Sequence, residues 1–355
     1  MFVIDYEHSG TVEISSCHTD YNGGDIITIQ EFARLANVSV ATVSRAFNNA
    51  PGISPQTRKR VLEAAKQYHY EPNLLGRHLR TKETHIILVI LTTIANNFCS
   101  KVVLGIDHAA RKVGYNSMIC VTNNDRNSEN SYLDLIRNRL ADGAIIMNTT
   151  MSAEEMRRFS QQYHVVQCSE YVDTASTSYV SIDNEQAAFD AVSRLAEQNR
   201  RRIAYLGVAN NLVSSKLRLD GYRRALEQHG ILFDERLLCH GNYGYRSGIR
   251  AISGLLQKSI AFDAVFAISD RMAAGAVSAL KTAGLRVPQD VAVIGFDNTD
   301  ITHLFEPPLS TVAQPQRELG ETAFHMLYDN LKTGAISHQF LTHQIIERNS
   351  TKIYV

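Results

Sequence analysis

The chain has 355 residues, of which 44% are hydrophobic and 20% charged, and its formal net charge at pH 7 is zero, a composition typical of a globular protein of about two domains. No run of about 18 apolar residues is present and the N-terminus lacks the basic and apolar segments of a secretory signal, so we expect neither a membrane span nor export. The five cysteines have no CxxC spacing, which predicts free thiols in the cytoplasm.

The charges are distributed unevenly along the chain. Residues 1–27 carry five Asp and Glu and no Lys or Arg, whereas residues 28–84 carry nine Lys and Arg against four Asp and Glu, a net charge of +5. The rest of the chain is neutral, so this pattern indicates a polyanion-binding head on a body with another task. The polar, glycine-interrupted segment 1–27 is predicted to be a disordered acidic extension; a misassigned start codon is the alternative.

The acidic extension is expected to compete with a bound polyanion for the basic head, because the two charges are opposite in sign. Deleting residues 1–27 should therefore tighten non-specific binding to a polyanion, most strongly at low salt, where screening is weakest. A salt titration of the full and the shortened chain measures this effect. Equal affinities at low salt would show that the extension does not act on the head.

Three short helices are predicted in residues 28–72. Thr28 and Glu31 have the spacing of a capping box, and Ser39 is placed to cap a second helix over 40–47. A third helix starts at Ser54-Pro55. Its predicted apolar stripe consists of Val61, Leu62, Ala65 and Tyr68. The tight turn between the first two helices is typical of a helix-turn-helix, in which the second helix enters the major groove of DNA.

The outward side of helix 40–47 suits contacts with base edges. Arg45 is long enough to pair bidentately with a guanine, and the small apolar Val40 and Ala41 suit thymine methyl groups. From the pattern alone, the alternative is a surface helix of an unrelated small helical bundle.

The segment TIQEFARLANVSVATVSRAFNNAPGISPQTRKRVLEAAKQYHYEPN resembles the head of the LacI/GalR family of bacterial repressors. The agreement includes VSxxTVSR and the closing YxPN at 70–73. The resemblance implies that Val40, Ala41 and Arg45 read bases. It also implies that seven residues position the phosphate backbone, namely Thr28, Ser39, Thr42, Ser44, Asn48, Thr57 and Arg58.

Residues 73–84, NLLGRHLRTKET, are predicted to be a hinge between head and body. In the family this segment becomes a short helix on operator DNA, and paired leucines wedge into the minor groove. Leu79 matches the wedging leucine by its spacing from YxPN, and Arg77 is assigned to the same groove. Gly76 lowers helix stability by about 1 kcal/mol, so the hinge is predicted to be disordered off DNA. An ordinary solvated linker is the alternative.

Strand-like and helix-like segments alternate from residue 85 onward. Apolar runs of strand length lie at 85–91, 116–121, 143–147, 164–167, 179–182, 202–207, 264–268 and 291–295. Amphipathic helical stretches between them include 129–140, 185–198, 215–229 and 270–283. This alternation predicts parallel sheets covered on both faces, in two doubly wound lobes.

Polar residues follow several of these strands. Ligands of open α/β sheets bind beyond the carboxyl ends of the strands, where Asp270, Asp297, Asn96–Phe98 and Asn123–Asp125 are found. Carboxylates, amides and an aromatic ring in one cleft suit a polar hydroxylated ligand. Taken singly, each Asp could equally be a helix cap.

The body is similar to the effector core of the same family, itself similar to periplasmic sugar-binding proteins. Matching segments are SKLRLDGYRRAL (215–226), SDRMAAGAVSAL (269–280), GLRVPQDVAVIGFDN (284–298) and PPLSTVAQP (307–315). The resemblance places six residues at the effector, namely Phe98, Ser214, Arg218, Tyr243, Asp270 and Asp297. It implies an N-terminal lobe of about 85–182 and 315–342, and a C-terminal lobe of about 183–314 and 343–355.

Some positions depart from the family pattern. Asn97 replaces the usual proline, and Leu212 replaces the arginine of the purine-sensing member, which puts a charged purine contact in doubt. The stretches 182–192 and 295–302 lean toward the cytidine-repressor branch, which adds a nucleoside or pentose-like effector to the sugars as options.

A ligand-gated repressor that binds operator DNA as a homodimer explains both the head and the body. A solute-binding protein of a transport system would explain the body alone. An α/β enzyme is the third option, but no phosphate-binding loop, GxSxG, metal-spaced His/Cys set or dinucleotide fingerprint stands out. We therefore expect a non-enzyme without metal or cofactor. The C-terminus has no leucine heptads, so a dimer is expected rather than a tetramer.

Overall fold

Hydroxyl caps set where the three helices of the head begin. The helices are α1 (Ile29–Leu35), α2 (Val40–Phe47) and α3 (Pro55–Gln67). The predicted capping box is confirmed, because Thr28 N donates to Glu31 Oε2 at 2.8 Å and Glu31 N donates to Thr28 Oγ1 at 3.3 Å. Ser39 and Ser54 accept in the same way from the backbone of Thr42 and Thr57.

The core of the head is small and aromatic. Phe32 is fully buried and stacks on Tyr70 with ring centroids 4.1 Å apart. Val61 and Ala65 are buried as predicted, but the prediction for Leu62 was wrong, since this residue is 37% exposed. Leu62 lies at the edge of the stripe, and the ring of Tyr70 completes the core instead.

The computed structural model describes residues 27–48, 50–70, 83–172 and 175–352. The predicted extension up to residue 26 and the hinge from 73 to 82, with Arg77 and Leu79, lie outside the described residues. The chain divides into two compact units between Lys82 and Glu83.

The second unit contains two lobes, each built on a six-stranded sheet. Its described strands are β1 (Ile86–Leu91), β2 (Asn116–Val121), β3 (Gly143–Ile146), β4 (Val165–Cys168), β5 (Ser178–Ile182), β6 (Ile203–Gly207), β7 (Leu238–His240), β8 (Ala264–Ala267), β9 (Ala292–Asp297), β10 (Ser310–Ala313), β11 (His338–Leu341) and β12 (Gln344–Ile346). The first sheet has the order β11-β5-β4-β3-β1-β2, and the second has the order β12-β10-β9-β8-β6-β7.

All described strand pairs are parallel except β10 with β12, so the predicted doubly wound lobes are confirmed with one antiparallel edge. The described helices of this unit are α4 (Asn97–Lys112), α5 (Arg126–Arg137), α6 (Ala153–Ser160), α7 (Asn184–Glu197), α8 (Val213–Gln228), α9 (Tyr245–Gln257), α10 (Asp270–Thr282) and α11 (Gln316–Thr333). The predicted strand and helix segments match these bounds to within three residues at each end.

Glycines allow the paired helices that cover the sheets to approach closely. A Cβ on Gly105 of α4 would overlap the backbone of Arg317, and one on Gly320 of α11 would overlap the backbone of Val102. A Cβ on Gly275 of α10 would likewise overlap the backbone of Tyr245 of α9. A larger residue at any of these positions would force the helices apart.

The chain crosses between the lobes at three places. It leaves the first lobe after β5, returns to it between β10 and α11, and leaves it again between β11 and β12. Polar residues at the second crossing, Gln314 and Gln316, are buried. The two lobes are therefore connected by three segments of chain.

Candidate DNA-reading helix and effector cleft

The outward face of α2 presents the three residues predicted to read bases. Val40, Ala41 and Arg45 are exposed, whereas Val43 and Ala46 on the opposite face are buried. The Arg45 side chain lies against Gly52, whose φ of +93° is a conformation that favours glycine. The helix thus exposes one long cation between small apolar groups.

The hydroxyls predicted to contact phosphates already take part in helix caps. Ser39 and Thr42 share a hydrogen bond of 2.9 Å between their hydroxyls, and Thr57 shares one of 2.8 Å with Ser54. Thr28 donates to Glu31 at 2.7 Å. Each cap leaves a helix N-terminus, with its partly positive amides, at the surface of the head, which is an arrangement suited to phosphate.

Asn48 and Arg58 brace the loop that follows α2. Asn48 Nδ2 donates to the carbonyl oxygen of Ser44 at 2.8 Å, and Arg58 Nη2 donates to the carbonyl oxygen of Ala50 at 2.7 Å. Arg58 is half-buried. Both residues therefore shape the backbone near the predicted DNA surface in addition to any contact with phosphate.

Asp297 lies at the carboxyl end of β9, where the strand-end rule placed it. Its side chain is only 8% exposed, and its φ is +107°. Gln314 Nε2 donates to its Oδ1 at 2.7 Å, and Gln316 donates to its carbonyl oxygen. Both glutamines belong to the second crossing between the lobes, so Asp297 is hydrogen-bonded directly to this crossing.

Asp270 lies near Asp297, and its carboxylate accepts hydrogen bonds from residues of its own lobe. Ser269, rather than Asp270, caps α10. The Asp270 carboxylate accepts from Thr299 N at 2.6 Å, from the Thr299 hydroxyl at 2.8 Å and from the Thr311 hydroxyl at 2.6 Å. It is 1% exposed. These donors hold the loop after β9, and hence Asp297, in place.

The two carboxylates have raised pKa values. Burial raises the pKa of Asp270 to about 7, and the nearby charge of Asp297 adds to the shift. Burial also raises the pKa of Asp297, against the opposing effects of Arg218 and of the Gln314 hydrogen bond. Full ionisation of this pair without a ligand is therefore unfavourable.

We expect the core to lose stability as pH rises from about 4 to about 7. A raised pKa means that the folded state binds more protons than the unfolded state in this window, so the free energy of unfolding falls with rising pH. Asp270→Asn removes the repulsion, and its amide is able to donate to the Thr311 hydroxyl. Denaturant titrations at pH 5 and 7.5 should show that the free energy of unfolding of the variant, relative to that of the wild type, is higher at pH 7.5 than at pH 5. The same difference at both pH values would contradict this prediction.

Arg218 is the buried cation of the cleft. It is 5% exposed, its Nε donates to Asn184 Oδ1 at 2.9 Å, and its Nη1 donates to the carbonyl oxygen of Ile268 at 2.8 Å. Its guanidinium lies 3.6 Å from the centroid of the Phe296 ring. Two fixed hydrogen bonds and a stacked ring hold the guanidinium in one orientation, as recognition of ligand hydroxyls requires.

The two aromatic residues predicted to lie at the effector, Phe98 and Tyr243, come from different lobes. Phe98, in the first turn of α4, is 7% exposed, and its N donates to Asn96 Oδ1 at 3.1 Å. Tyr243 belongs to the second lobe, with a hydroxyl 2.7 Å from Ser215 Oγ and 3.2 Å from Asn210 Nδ2.

Ser214 reveals a contact that the sequence interpretation missed. It lies in the first turn of α8, which has no side-chain cap of its own, and its N and Oγ both donate to Glu170 of the other lobe. Burial raises the pKa of Glu170, while the Ser214 hydrogen bonds and Arg218 oppose the shift. Glu170 follows β4, so the strand-end rule could have found it.

A second bridge between the lobes lies near Asp300. Lys101 Nζ lies 2.6 Å from Asp300 Oδ1, and Asn97 Nδ2 donates to Asp300 Oδ2 at 3.1 Å. Lys101 and Asn97 lie on α4, while Asp300 begins a single helical turn three residues after Asp297. Asn97, noted in the sequence as a departure from the family pattern, thus contacts the opposite lobe.

A helix-turn-helix head joined to a two-lobed α/β core with a polar cleft defines a class of ligand-responsive DNA-binding regulators. Residues 28–73 match the lacI family of bacterial regulatory proteins, and residues 192–351 match a periplasmic binding protein-like domain. The chain belongs to the lacI family, and the prediction of this family is confirmed.

The chain is similar to named regulators over nearly its whole length. It is 35% identical to the transcriptional repressor CytR of Escherichia coli K12, over 92% of this chain and 96% of that protein. It is 36% identical to catabolite control protein A of Priestia megaterium, over 92% and 99%. These relatives are regulators rather than enzymes.

Solved structures agree in fold. The lac repressor dimer bound to operator and the anti-inducer ONPF has a TM-score of 0.84 at 25% identity, over 92% of this chain and 99% of that one. The regulator CelR in complex with cellobiose has a TM-score of 0.70 at 29% identity, over 91% and 99%. Across the described residues, no helix is long and apolar enough to cross a membrane.

Proposed function

We propose that the protein represses transcription by binding operator DNA as a homodimer and that a small hydroxylated effector, a sugar or nucleoside, controls its affinity for DNA. The observation that carries this proposal is Asp297, a buried carboxylate at a strand end, hydrogen-bonded to the crossing between the lobes. A ligand that binds Asp297 from the cleft contacts the part of the chain on which the lobe arrangement depends.

The head supplies sequence recognition in this proposal. Arg45 reads a guanine edge, and Val40 and Ala41 contact thymine methyl groups, because these three residues form the exposed face of α2. The phosphate contacts come from Thr28, Ser39, Thr42, Ser44, Asn48, Thr57 and Arg58. The segment of the proposed hinge 73–84 that carries Leu79 and Arg77 acts in the minor groove of the same site.

The cleft supplies effector recognition. Arg218 and Asp297 bind ligand hydroxyls, and Phe98 and Tyr243 contact the faces of a ligand ring. Ser214 contributes its hydroxyl, and Asp270 acts as a positioning residue, because its carboxylate already accepts three hydrogen bonds. The lac repressor complex with operator and the CelR complex with cellobiose support both halves of the proposal, since each is a fold relative with the corresponding ligand.

The test is an electrophoretic mobility shift of promoter DNA with and without a panel of sugars and nucleosides. We expect binding that weakens steeply with salt, and at least one compound that changes the operator affinity. A ligand at 100 times its dissociation constant stabilises the fold by about 2.7 kcal/mol, so a thermal-shift screen selects the panel. A solute-binding protein of a transport system would bind the ligand but not shift DNA.

A further inference from the structure

The chain enters the first lobe through Thr84, the last residue of the proposed hinge, and His85, and one carboxylate holds both residues. Asp142, in the loop before β3, accepts from Thr84 N at 2.7 Å, from the Thr84 hydroxyl at 2.8 Å and from His85 N at 2.9 Å. Both carboxylate oxygens are used, and Asp142 lies 58 positions along the chain from Thr84. The end of the hinge therefore has a fixed attachment point in the first lobe.

Neighbouring backbone bonds join this attachment to the first sheet. Asp142 N donates to the carbonyl oxygen of Ile86 at 2.8 Å, and Asn116 N donates to that of His85 at 2.8 Å. The Thr84 hydroxyl also accepts from Ile86 N at 3.1 Å. His85 has a φ of +55°, a left-handed conformation that bends the chain immediately before β1. Asp142 and this bend together fix the direction in which the chain leaves the sheet toward the hinge.

The C-terminal part of α11 packs against the same attachment. Lys332 Nζ lies 3.8 Å from Glu83 Oε1, and the ring centroid of Tyr328 lies 6.1 Å from that of Tyr115, which is buried. Burial raises the pKa of the Tyr115 hydroxyl, and the nearby charges of Asp142 and Glu83 raise it further. The end of α11 is therefore in contact with groups that surround the attachment point.

The other end of α11 lies at the crossing beside Asp297. Its first residue, Gln316, donates to the carbonyl oxygen of Asp297. The helix has 18 residues and so spans about 27 Å. Gly320 lies against the backbone of Val102 in α4, which holds α11 to the first lobe. One helix of the first lobe thus contacts both the crossing and the end of the hinge, and a firm attachment of the hinge is needed for the two to move together.

We propose that Asp142 is a positioning residue for operator binding, which fixes the end of the hinge to the first lobe so that the arrangement of the lobes determines where each hinge of a homodimer begins. This proposal rests on the proposed function and names a further residue on which that function depends. Asp142 acts through Thr84 and His85 rather than by contact with DNA or effector. A defined separation of the two attachment points limits the entropy lost when both heads bind one operator.

Hydrogen exchange of the full chain tests the attachment itself. In Asp142→Asn the side chain has one acceptor oxygen in place of two, so at least one of the backbone N–H groups of Thr84 and His85 loses its partner. We expect exchange at these two N–H groups, measured by mass spectrometry, to be at least tenfold faster than in the wild type, with unchanged exchange in β9 of the other lobe. Unchanged exchange at Thr84 and His85 would overturn the proposal.

DNA binding distinguishes a positioning role from a merely structural one. We expect Asp142→Asn to weaken binding to the promoter fragment that the wild type shifts at least fivefold, and binding to scrambled DNA less than twofold, because the heads are unaltered. Asp134→Asn is the matched control, since this carboxylate of the first lobe pairs with Arg137 of its own helix, and both affinities should stay within twofold. Wild-type promoter affinity in Asp142→Asn, or an equal loss for both DNAs, would overturn the proposal.

Two substitutions of Thr84 keep the proposal testable if Asp142→Asn does not fold. Thr84→Val removes the hydroxyl that donates to Asp142 with little change in shape, whereas Thr84→Ser retains a hydroxyl. We expect the valine variant to weaken promoter binding at least threefold and the serine variant less than twofold. Equal promoter affinities of the two variants would overturn the proposal.

The effector response gives a further readout that a structural role would not move. The probes are ribose, cellobiose, cytidine and adenosine, and each probe that changes the promoter affinity of the wild type is titrated against Asp142→Asn. We expect the calorimetric affinity for the probe to change less than twofold, while the ratio of promoter dissociation constants with and without the probe falls at least threefold. A full response in the variant would overturn the proposal.

The mobility shift of the wild-type chain separates this inference from the proposed function. If the wild type does not shift promoter DNA, the repressor function fails and the role of Asp142 fails with it. If the wild type shifts promoter DNA and Asp142→Asn behaves in the same way, the proposed function stands and the role of Asp142 is overturned.

Discussion

Arg45→Ala is expected to weaken operator binding about 5- to 150-fold, which corresponds to about 1–3 kcal/mol. The loss follows from the removal of a bidentate contact with one guanine in each half-site, and it should relax the preference at that base pair. The fold of the head should not change, because Arg45 is exposed and α2 contributes Val43 and Ala46, on its opposite face, to the core. Competition binding with a set of single-base operator variants measures both effects.

Two further variants show whether the loss comes from the guanidinium fork. Arg45→Lys keeps the charge but not the planar pair of donors, so it should retain non-specific affinity and lose most of the base preference. Arg58→Ala should weaken all DNA sequences similarly, since Arg58 is proposed to act on the backbone and on the loop at Ala50. A full sequence preference in Arg45→Ala would rule out the base-reading role.

Asp297→Asn is expected to leave operator affinity near normal without effector and to raise the effector concentration for half-maximal response at least tenfold. The variant removes the charge from a buried hydrogen bond worth about 1.5–3 kcal/mol, and 1.4 kcal/mol corresponds to tenfold. Asparagine is a better test than alanine here, because the φ of +107° disfavours an ordinary side chain and Asn tolerates positive φ. An operator titration with and without the identified effector measures the shift.

Asp300→Asn is the matched control for this prediction. It removes a carboxylate three residues away, but this carboxylate pairs with Lys101 at the exposed margin of the cleft. Exposed ion pairs contribute less than about 1 kcal/mol, so the effector response should shift by less than about fivefold. A large shift in Asp300→Asn with none in Asp297→Asn would remove Asp297 from the effector site.

Local signals in the sequence predicted the head and the central strands well. Thr28, Ser39 and Ser54 mark helix starts through caps that involve residues only three positions away, so the sequence itself contains both partners. The buried strands β1 and β9 are nearly continuous apolar runs. The edge strands β7, β11 and β12 are short and partly exposed, and their pairing depends on neighbours that are distant in the chain.

The candidate site was predicted only in part, because its contacts join distant residues. Glu170 meets Ser214 across 44 positions, and Thr311 meets Asp270 across 41. The strand-end rule placed Asp270 and Asp297 at the same edge of the sheet. It did not show that Asp270 is hydrogen-bonded within its own lobe, whereas Asp297 is hydrogen-bonded to the crossing between the lobes. Only the hydrogen-bond partners make that distinction.

The three crossings between the lobes also determine when the protein finishes folding during its synthesis. Residues of the last described segment complete the second lobe: Val293 N donates to the carbonyl oxygen of Ser350 at 2.9 Å, Ser350 N donates to that of Pro308 at 3.0 Å, and β12 forms the edge of the second sheet. The first lobe likewise lacks α11 and β11 until more than 330 residues have been made. Neither lobe is a contiguous stretch of chain, so a ribosome that stalls before β11 releases a polypeptide with a foldable head and two incomplete sheets. Such a fragment could still reach operator DNA through its head, but it would have no finished cleft through which an effector could act.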